Sequence, residues 1–379
     1  MEYYFVEECC DILNSKRIPV TEKDRKKGLY PYYGANGVQD YVDSYIFDDE
    51  LVLLAEDGGH FGSKNKPIAY RVSGRCWVNN HAHVLRPKDM IDVDYLCYSL
   101  MFYDVSGLVN GATRQKLNQS AMKKMKIPKR EMGIQRRIVL ELDKVKKSIE
   151  QKTCQLVELD NLIKSRFVEM FGDPIANLFG WKKVVLGDLV YAIQSGNTPK
   201  GGKQVYVNSG IAFFRSQNVW RNRVDYEDIA YIDEKTHRKM YKTSLRKNDI
   251  LITKTGRFNT ENSSLGRAAM YQGDDNQANI NGHVYLIRLK EVINPNFVLF
   301  ILTTDEYRDY IRKVCVGGID KRQINKEHLE EFPIILPPNE LQNQFADFVQ
   351  QVDKSKVAIQ RSLDETQELF DCLMQKYFG

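Results

Sequence analysis

Two stretches of the chain place apolar residues at alternating four- and three-residue steps. In the first, the positions are Ile138, Leu142, Val145, Ile149, Lys152, Leu156, Leu159, Ile163, Arg166 and Met170. In the second they are Phe345, Val349, Val352, Lys356, Ile359, Leu363, Thr366, Phe370, Leu373 and Tyr377. Eight of ten are apolar each time, and a 3.5-residue period held this long predicts a coiled-coil seam. A helix from Ile134 to Phe171 would be about 57 Å long at 1.5 Å per residue. Seams this narrow predict that the two helices pack on each other. Each seam carries a lysine, Lys152 and Lys356, read here as matching positions. They serve either as a register device or as charges tolerated at the seam.

The seams belong to an internal repeat. Gly111–Gly172 lies over Gly318–Gly379 without a gap, at an offset of 207 residues. Asn118 falls on Asn325, Ile127 on Ile334, Gln135 on Gln342, and both copies end in Phe-Gly. Prolines (Pro128; Pro337 and Pro338) precede the helices, and Gly172-Asp173-Pro174 stops the first. Before each helix lies a longer region of short β-type runs and turns. Leu51–Ala55 and Ile250–Thr253 look alike, as do Asn79–Leu85 and Asn279–Tyr285. The expected fold class is α/β (α+β): two globular mixed domains separated by two long antiparallel helices forming a coiled coil, with pseudo-two-fold internal repetition. The expected boundaries are 1–129 and 174–336 for the domains, and 130–173 and 337–379 for the helices.

At 379 residues the length suits two or three domains. Charged residues at 28% and hydrophobics at 42% exclude a disordered or collagen-like chain. No run of 18 apolar residues occurs and the N-terminus does not read as a signal peptide, so a cytoplasmic protein is expected. Seven cysteines without a C-x-x-C spacing fit reduced thiols rather than a disulfide framework or a zinc site.

The net charge of +5 says less than its distribution. Gly111–Arg130 holds seven bases and no acid; Leu189–Val224 holds five bases and no acid. Amides, hydroxyls and aromatics interleave with the second run. Arg, Asn and Gln can read base edges bidentately, and Lys grips phosphates. On charge alone a solvated basic face is an equal reading; two such domains on a long spacer favour DNA, with two half-sites at a fixed separation.

No catalytic set emerges. The glycine pairs fit neither a P-loop nor a dinucleotide fingerprint, and no Asn/Asp-Pro-Pro-aromatic tetrapeptide is present to hold a flipped base. His81 and His83 share a strand face but lack a third ligand nearby in sequence.

The chain resembles the specificity subunit of type I restriction–modification systems. The residues that carry this are Trp181–Asp188, Ser195-Gly196-Asn197-Thr198-Pro199 and Gly210–Val219, with Tyr30–Gly37 and Trp77–Leu85 resembling another variant of the same domain. Ile127-Pro128 and Ile335–Pro338 leading into Gln135 and Gln342 resemble the family's two conserved regions. The resemblance implies a non-catalytic, DNA-binding subunit with two target recognition domains, acting on a bipartite target. It implies two modification subunits docking on the spacer helices, carrying S-adenosylmethionine and methylating adenine. It also implies restriction subunits carrying ATP-driven translocation and cleavage, and no cofactor on this chain. The first domain lacks the Gly-x-Thr-Pro and Arg-Ser-Gln-Asn patterns of the second, so an asymmetric target is expected. Expected DNA contacts are Tyr33, Asn36, His60, Lys64, Asn80 and Arg114 in the first domain. In the second they are Thr198, Lys200, Arg215, Gln217, Asn218, Lys254 and Arg257. A motif shared by relatives with different targets more readily supports the fold or grips phosphates than selects bases, which applies to Arg215–Asn218. The rival readings are a self-contained restriction or methyltransferase enzyme and a coiled-coil protein-binding scaffold.

Overall fold

The computed structural model describes residues 2–111, 115–260 and 262–379. The chain divides into two compact units, Met1–Gln155 with Ile359–Gly379, and Leu156–Ala358. The division falls within the long helices, so each unit takes part of both.

In the first unit the strands are β1 (Cys10–Ile12), β2 (Lys27–Gly34), β3 (Gly37–Val42), β4 (Phe47–Ala55), β5 (Ala69–Val78) and β6 (Ala82–Pro87). They form one sheet in the order β1-β6-β4-β5-β2-β3. The pairing of β2 with β5 is parallel, and the other neighbours run antiparallel. Central β4 needs apolar side chains on both faces, which is why Leu51-Val52-Leu53-Leu54-Ala55 reads as an unbroken run; all five are fully buried. Helix α1 (Val93–Met101) begins at Asp92, whose carboxylate caps the amides of Asp94 and Tyr95. Helix α2 spans Met132–Phe171. Its early residues Ile138, Val139 and Leu142 share a core with α1 and with Phe370 and Leu373 of the second long helix. The two helices run antiparallel here: Tyr377 Oη donates to Glu141 at 2.6 Å, and Lys152 Nζ to Thr366 Oγ1 at 2.7 Å.

In the second unit the strands are β7 (Val190–Ser195), β8 (Ile250–Thr253), β9 (Thr255–Arg257), β10 (Ala268–Met270), β11 (Val284–Leu289), β12 (Val316–Gly317) and β13 (Lys321–Gln323). One sheet has the order β7-β11-β8-β10, and a small one the order β9-β13-β12. A further four-stranded sheet joins Ile211–Phe214 to Ala230–Ile232 and Ala278–Ile280. Helix α3 (Pro295–Ile301) starts at Asn294. The second long helix, α4, spans Asn339–Phe378. Phe167 of α2 stacks on Phe300 at 4.5 Å between centroids and meets Phe345 of α4 edge-on at 5.3 Å. Each buried aromatic of this kind contributes about 1.5–3 kcal/mol. Lys356 Nζ of α4 reaches Asp160 of α2 at 2.7 Å, and the helices are again antiparallel.

The seam residues read from the sequence are buried or half-buried along both helices. The lysines differ from their sequence reading. In the 207-residue register Lys152 lies over Ile359 and Lys356 over Ile149, so they are seam neighbours, not equivalents. Both nevertheless bind polar groups of the opposite helix.

The repeat has a physical basis in two glutamines. Gln135 accepts from the Asp92 amide at 2.8 Å and donates to the carbonyls of Met90 and Arg130. Gln342 accepts from the Asn294 amide at 2.9 Å and donates to Pro337 O. Each therefore ties the start of a long helix to the cap of a shorter one. Asn118 caps the short helix Gln119–Lys123, and its counterpart Asn325 starts Lys326–Glu330.

Candidate nucleic-acid interface

In the second unit, antiparallel pairing brings the ends of β7 and β8 to one edge together with the starts of β10 and β11. The loops at this edge carry Thr198 and Lys200 after β7, Lys254 and Arg257 after β8, Arg267 before β10, and His283 before β11. Strand β9 pairs with β13 and adds Lys321 and Arg322. The motif Ser-Gly-Asn-Thr-Pro turns here because Gly196 presses on the opposite turn. A Cβ at 196 would stand 2.2 Å from the Asn281 carbonyl oxygen, and Thr198 Oγ1 lies over Gly282. The hairpin Val219–Val224 joins the same edge through the Asn222 amide, which donates to Ala268 O at 2.8 Å. It brings Arg221 and Arg223, and its Trp220 lies 4.0 Å beneath the Arg267 guanidinium. Burial draws the Arg267 guanidinium below its ordinary pKa, and the carbonyls of Ser263 and Asn262 accept its N–H groups. Lys254 Nζ sits 5.3 Å over the Tyr285 ring. The segments that carry Thr198, Lys200, Lys254 and Arg257 thus leave from one edge of the sheet.

Arg215, Gln217 and Asn218 make internal contacts, and of the three only Asn218 is buried away from any ligand. Asn218 is 1% exposed; its side chain accepts from the Arg215 amide and donates to the carbonyls of Asp225 and Asp228. Arg215 pairs with Asp228 at 3.2 Å and donates to its carbonyl, and Gln217 donates to the same carboxylate. All three hold the loop around Asp225–Asp228; Asn218, a buried amide with all its bonds satisfied within the protein, is scaffold and cannot read a base, while Gln217 remains exposed beside it.

In the first unit a cleft of about 540 Å³ opens between the ends of β2 and β4 and the Asn79–His81 turn. Asn36 and Asn80 line it, with Arg25, Tyr32, Gln39 and His81. The Asn36 amide donates to Gly58 O at 3.0 Å, and Asn79 donates to Gln39 Oε1 at 3.1 Å. His60 is half-buried and Lys64 exposed in the adjoining loop. Tyr33 is half-buried: its ring packs on Tyr70 at 5.8 Å against the core, and burial raises its phenol pKa. Arg114 lies outside the described residues. Burial by itself would raise the Glu56 carboxyl, but hydrogen bonds from Arg17 (2.6 Å) and Lys116 (3.0 Å) outweigh it and hold the group below the ordinary carboxylate range. His83 is fully buried, with its ring nitrogens against Asn14 and the Leu117 carbonyl, and burial lowers its pKa. Among the described residues no group of three His, Cys, Asp or Glu side chains converges as a metal site requires.

The two sites are built on the same frame. The Glu56 amide donates to His81 O and its carbonyl accepts from Leu117 N; the Lys254 amide donates to His283 O and its carbonyl accepts from Ile324 N. The amides of His81 and His283 donate to Asn79 and Asn281 side chains. His81 Nδ1 meets Asp57 at 2.7 Å, and His283 Nδ1 meets Thr255 at 3.4 Å. Asn79 therefore matches Asn281, two residues beyond the register read from the sequence. The spacing Asn-x-His, present in both segments, was the signal that could have found it. Glu56 occupies the place of Lys254, so the same frame carries opposite charges in the two units.

A profile of the family described as "Type I restriction modification DNA specificity domain" matches residues 1–159 and 179–368. A putative type I restriction enzyme specificity subunit of Haemophilus influenzae is 24% identical over 342 residues, 89% of this chain and 84% of that protein. A putative MjaX specificity subunit of Methanocaldococcus jannaschii is 23% identical over 199 residues, 52% of this chain and 45% of that protein. The fold is similar to that of a type I restriction–modification S subunit from M. genitalium, with a TM-score of 0.61 at 15% identity, covering 100% of this chain and 96% of that one. A chain from a type I R-M assembly gives a TM-score of 0.53 at 16% identity, covering 100% and 97%.

Proposed function

Because the chain belongs to the type I restriction modification DNA specificity family along most of its length, we propose that it is the subunit that selects the DNA sequence for such a system. The observation that carries this reading is the edge of the second unit where strand pairing brings together the loops and strand ends that carry Thr198, Lys200, Lys254, Arg257, Arg267, Lys321 and Arg322. Such a surface neutralises phosphates and presents donors to base edges. The equivalent frame in the first unit offers amides and a carboxylate-backed turn instead. Each unit reads one half of a split target, and the halves differ because the frames carry different chemistry.

Methylation and cleavage belong to partner subunits in this reading. Modification subunits supply S-adenosylmethionine and methylate adenine, and restriction subunits supply ATP- and magnesium-dependent translocation and cleavage. Exposed apolar residues on the long helices, Leu140, Val157, Val168, Val357 and Leu369, offer docking points for two modification subunits. The complex works in the cytoplasm, where its DNA is. Among the described residues no helix is long and apolar enough to cross a membrane.

Genome-wide mapping of methyladenine, with and without this gene, tests the proposal. Loss of methylation at one split motif with two unlike halves and a fixed gap is the expected result. Unchanged methylation at every motif, in a host whose modification genes are expressed, refutes it.

A further inference from the structure

The basic edge of the second unit carries an apolar residue that packing does not explain. Strands β12 and β13 form a tight hairpin, with Val316 opposite Gln323 and Gly317 opposite Arg322. Gly317 takes a φ of +135°, and a Cβ there would lie 2.7 Å from the Lys321 carbonyl oxygen, so the turn needs glycine. The Gly318 amide closes it by donating to Lys321 O at 3.1 Å. At the tip stands Ile319, 89% exposed.

A lone exposed aliphatic carries no information, but this one has a defined setting. Hairpin tips ordinarily take Gly, Asn, Asp or Ser, and a β-branched residue there gains nothing from the turn. The tip is also held still. Asp320 pairs with Arg257 at 3.7 Å, its carbonyl accepts from the Phe258 amide at 2.8 Å, and Arg322 lies 4.0 Å over the Phe258 ring. Ile319 is thus a stiff apolar point set among Arg257, Lys321 and Arg322. A two-stranded ribbon is narrow enough to enter the major groove, where the apolar feature of a base edge is the thymine methyl group.

We propose that Ile319 contacts the 5-methyl group of a thymine in the half-target read by the second unit, with Lys321 and Arg257 gripping the flanking phosphates. The inference rests on the DNA-selection reading above and adds one specificity-determining residue to it.

The test uses the full chain with its modification subunits and a duplex bearing the mapped target. Each thymine of the second half is replaced in turn by deoxyuridine, which removes only the methyl group. Wild-type and Ile319→Ala proteins are compared by fluorescence anisotropy. One burial-equivalent methyl corresponds to about a fourfold change in affinity, and the larger side-chain truncation to about tenfold. The expected result is one thymine at which deoxyuridine weakens the wild type about fourfold and leaves Ile319→Ala unaffected. The variant itself should bind the unmodified target about tenfold more weakly. Equal affinity of the two proteins, a loss in the variant without any coupled thymine, or a half-target without thymine overturns the inference. A wild-type complex that binds target and unrelated duplex equally overturns the DNA-selection reading itself.

Discussion

Replacing Gln135 should weaken the first unit more than replacing Gln342 weakens the second. The Gln135 side chain is 1% exposed and satisfies three backbone groups: the Asp92 amide and the carbonyls of Met90 and Arg130. Gln342 satisfies two, the Asn294 amide and the Pro337 carbonyl. A buried polar group left without a partner costs about 1–3 kcal/mol. With partial relaxation, Gln135→Met should cost about 3–5 kcal/mol and Gln342→Met about 2–3 kcal/mol. Methionine keeps the volume nearly constant, so a cavity contributes little. Denaturant unfolding gives the free energies, and hydrogen exchange read by mass spectrometry locates them. Gln135→Met should speed exchange at the start of α1, where the Asp92 cap loses its anchor, and leave α3 protected. A loss below about 0.5 kcal/mol, or faster exchange in α3 instead, would refute the view that this glutamine locks helix to helix within its own unit.

Asn218→Ala should destabilise the second unit by about 2 kcal/mol through its orphaned partners; unchanged melting with weakened DNA binding would return it to the interface. Lys254→Ala and Arg257→Ala should each reduce the slope of log affinity against log salt by about one, measured in a salt titration, with little change in sequence preference. The buried His83 sets a pH dependence. Its folded pKa lies below the ordinary value of about 6.5, so the unfolded chain binds the extra proton first. The stability of the first unit should therefore be full above about pH 6.5 and fall as the pH drops toward the depressed value, as followed by urea unfolding at several pH values. His83→Gln should flatten that slope; a slope that persists in the variant assigns it to other groups.

The long helices were legible because their signal is local and repeated: a 3.5-residue period needs no knowledge of the partner. Asn118, Gln135 and their counterparts were legible as a repeat, though not as caps and locks, since those roles depend on Asp92 and Asn294 far away in sequence. The basic edge was half legible. Lys254 and Arg257 were named from the sequence, whereas Arg267 and Arg322 reach the same edge only through the pairing of β8 with β10 and β9 with β13. The internal role of Asn218 was hidden for a physical reason. The groups that suit an amide to a base edge suit it equally to the carbonyls of a loop ten residues on, and only burial separates the two. The half-burial of Tyr33 was hidden similarly, because an aromatic on a strand faces the core or the solvent according to a pleat that the bulges in β2 shift.

The second unit is one unbroken stretch of chain, and the first is not. On the ribosome this sets an order of events. Leu156–Ala358 can close its own core as soon as it emerges, since Phe167, Phe297 and Phe345 all lie within it. The first unit emerges earlier but waits, with Ile138 and Leu142 of α2 covered by α1 alone, until Phe370 and Leu373 are synthesised after the whole of the other unit. Through that interval the nascent chain carries a part-covered apolar seam, the kind of surface that chaperones shield and that aggregates when left alone. A message interrupted shortly after Ala358 would therefore yield a chain whose second half is sound and whose first half is not.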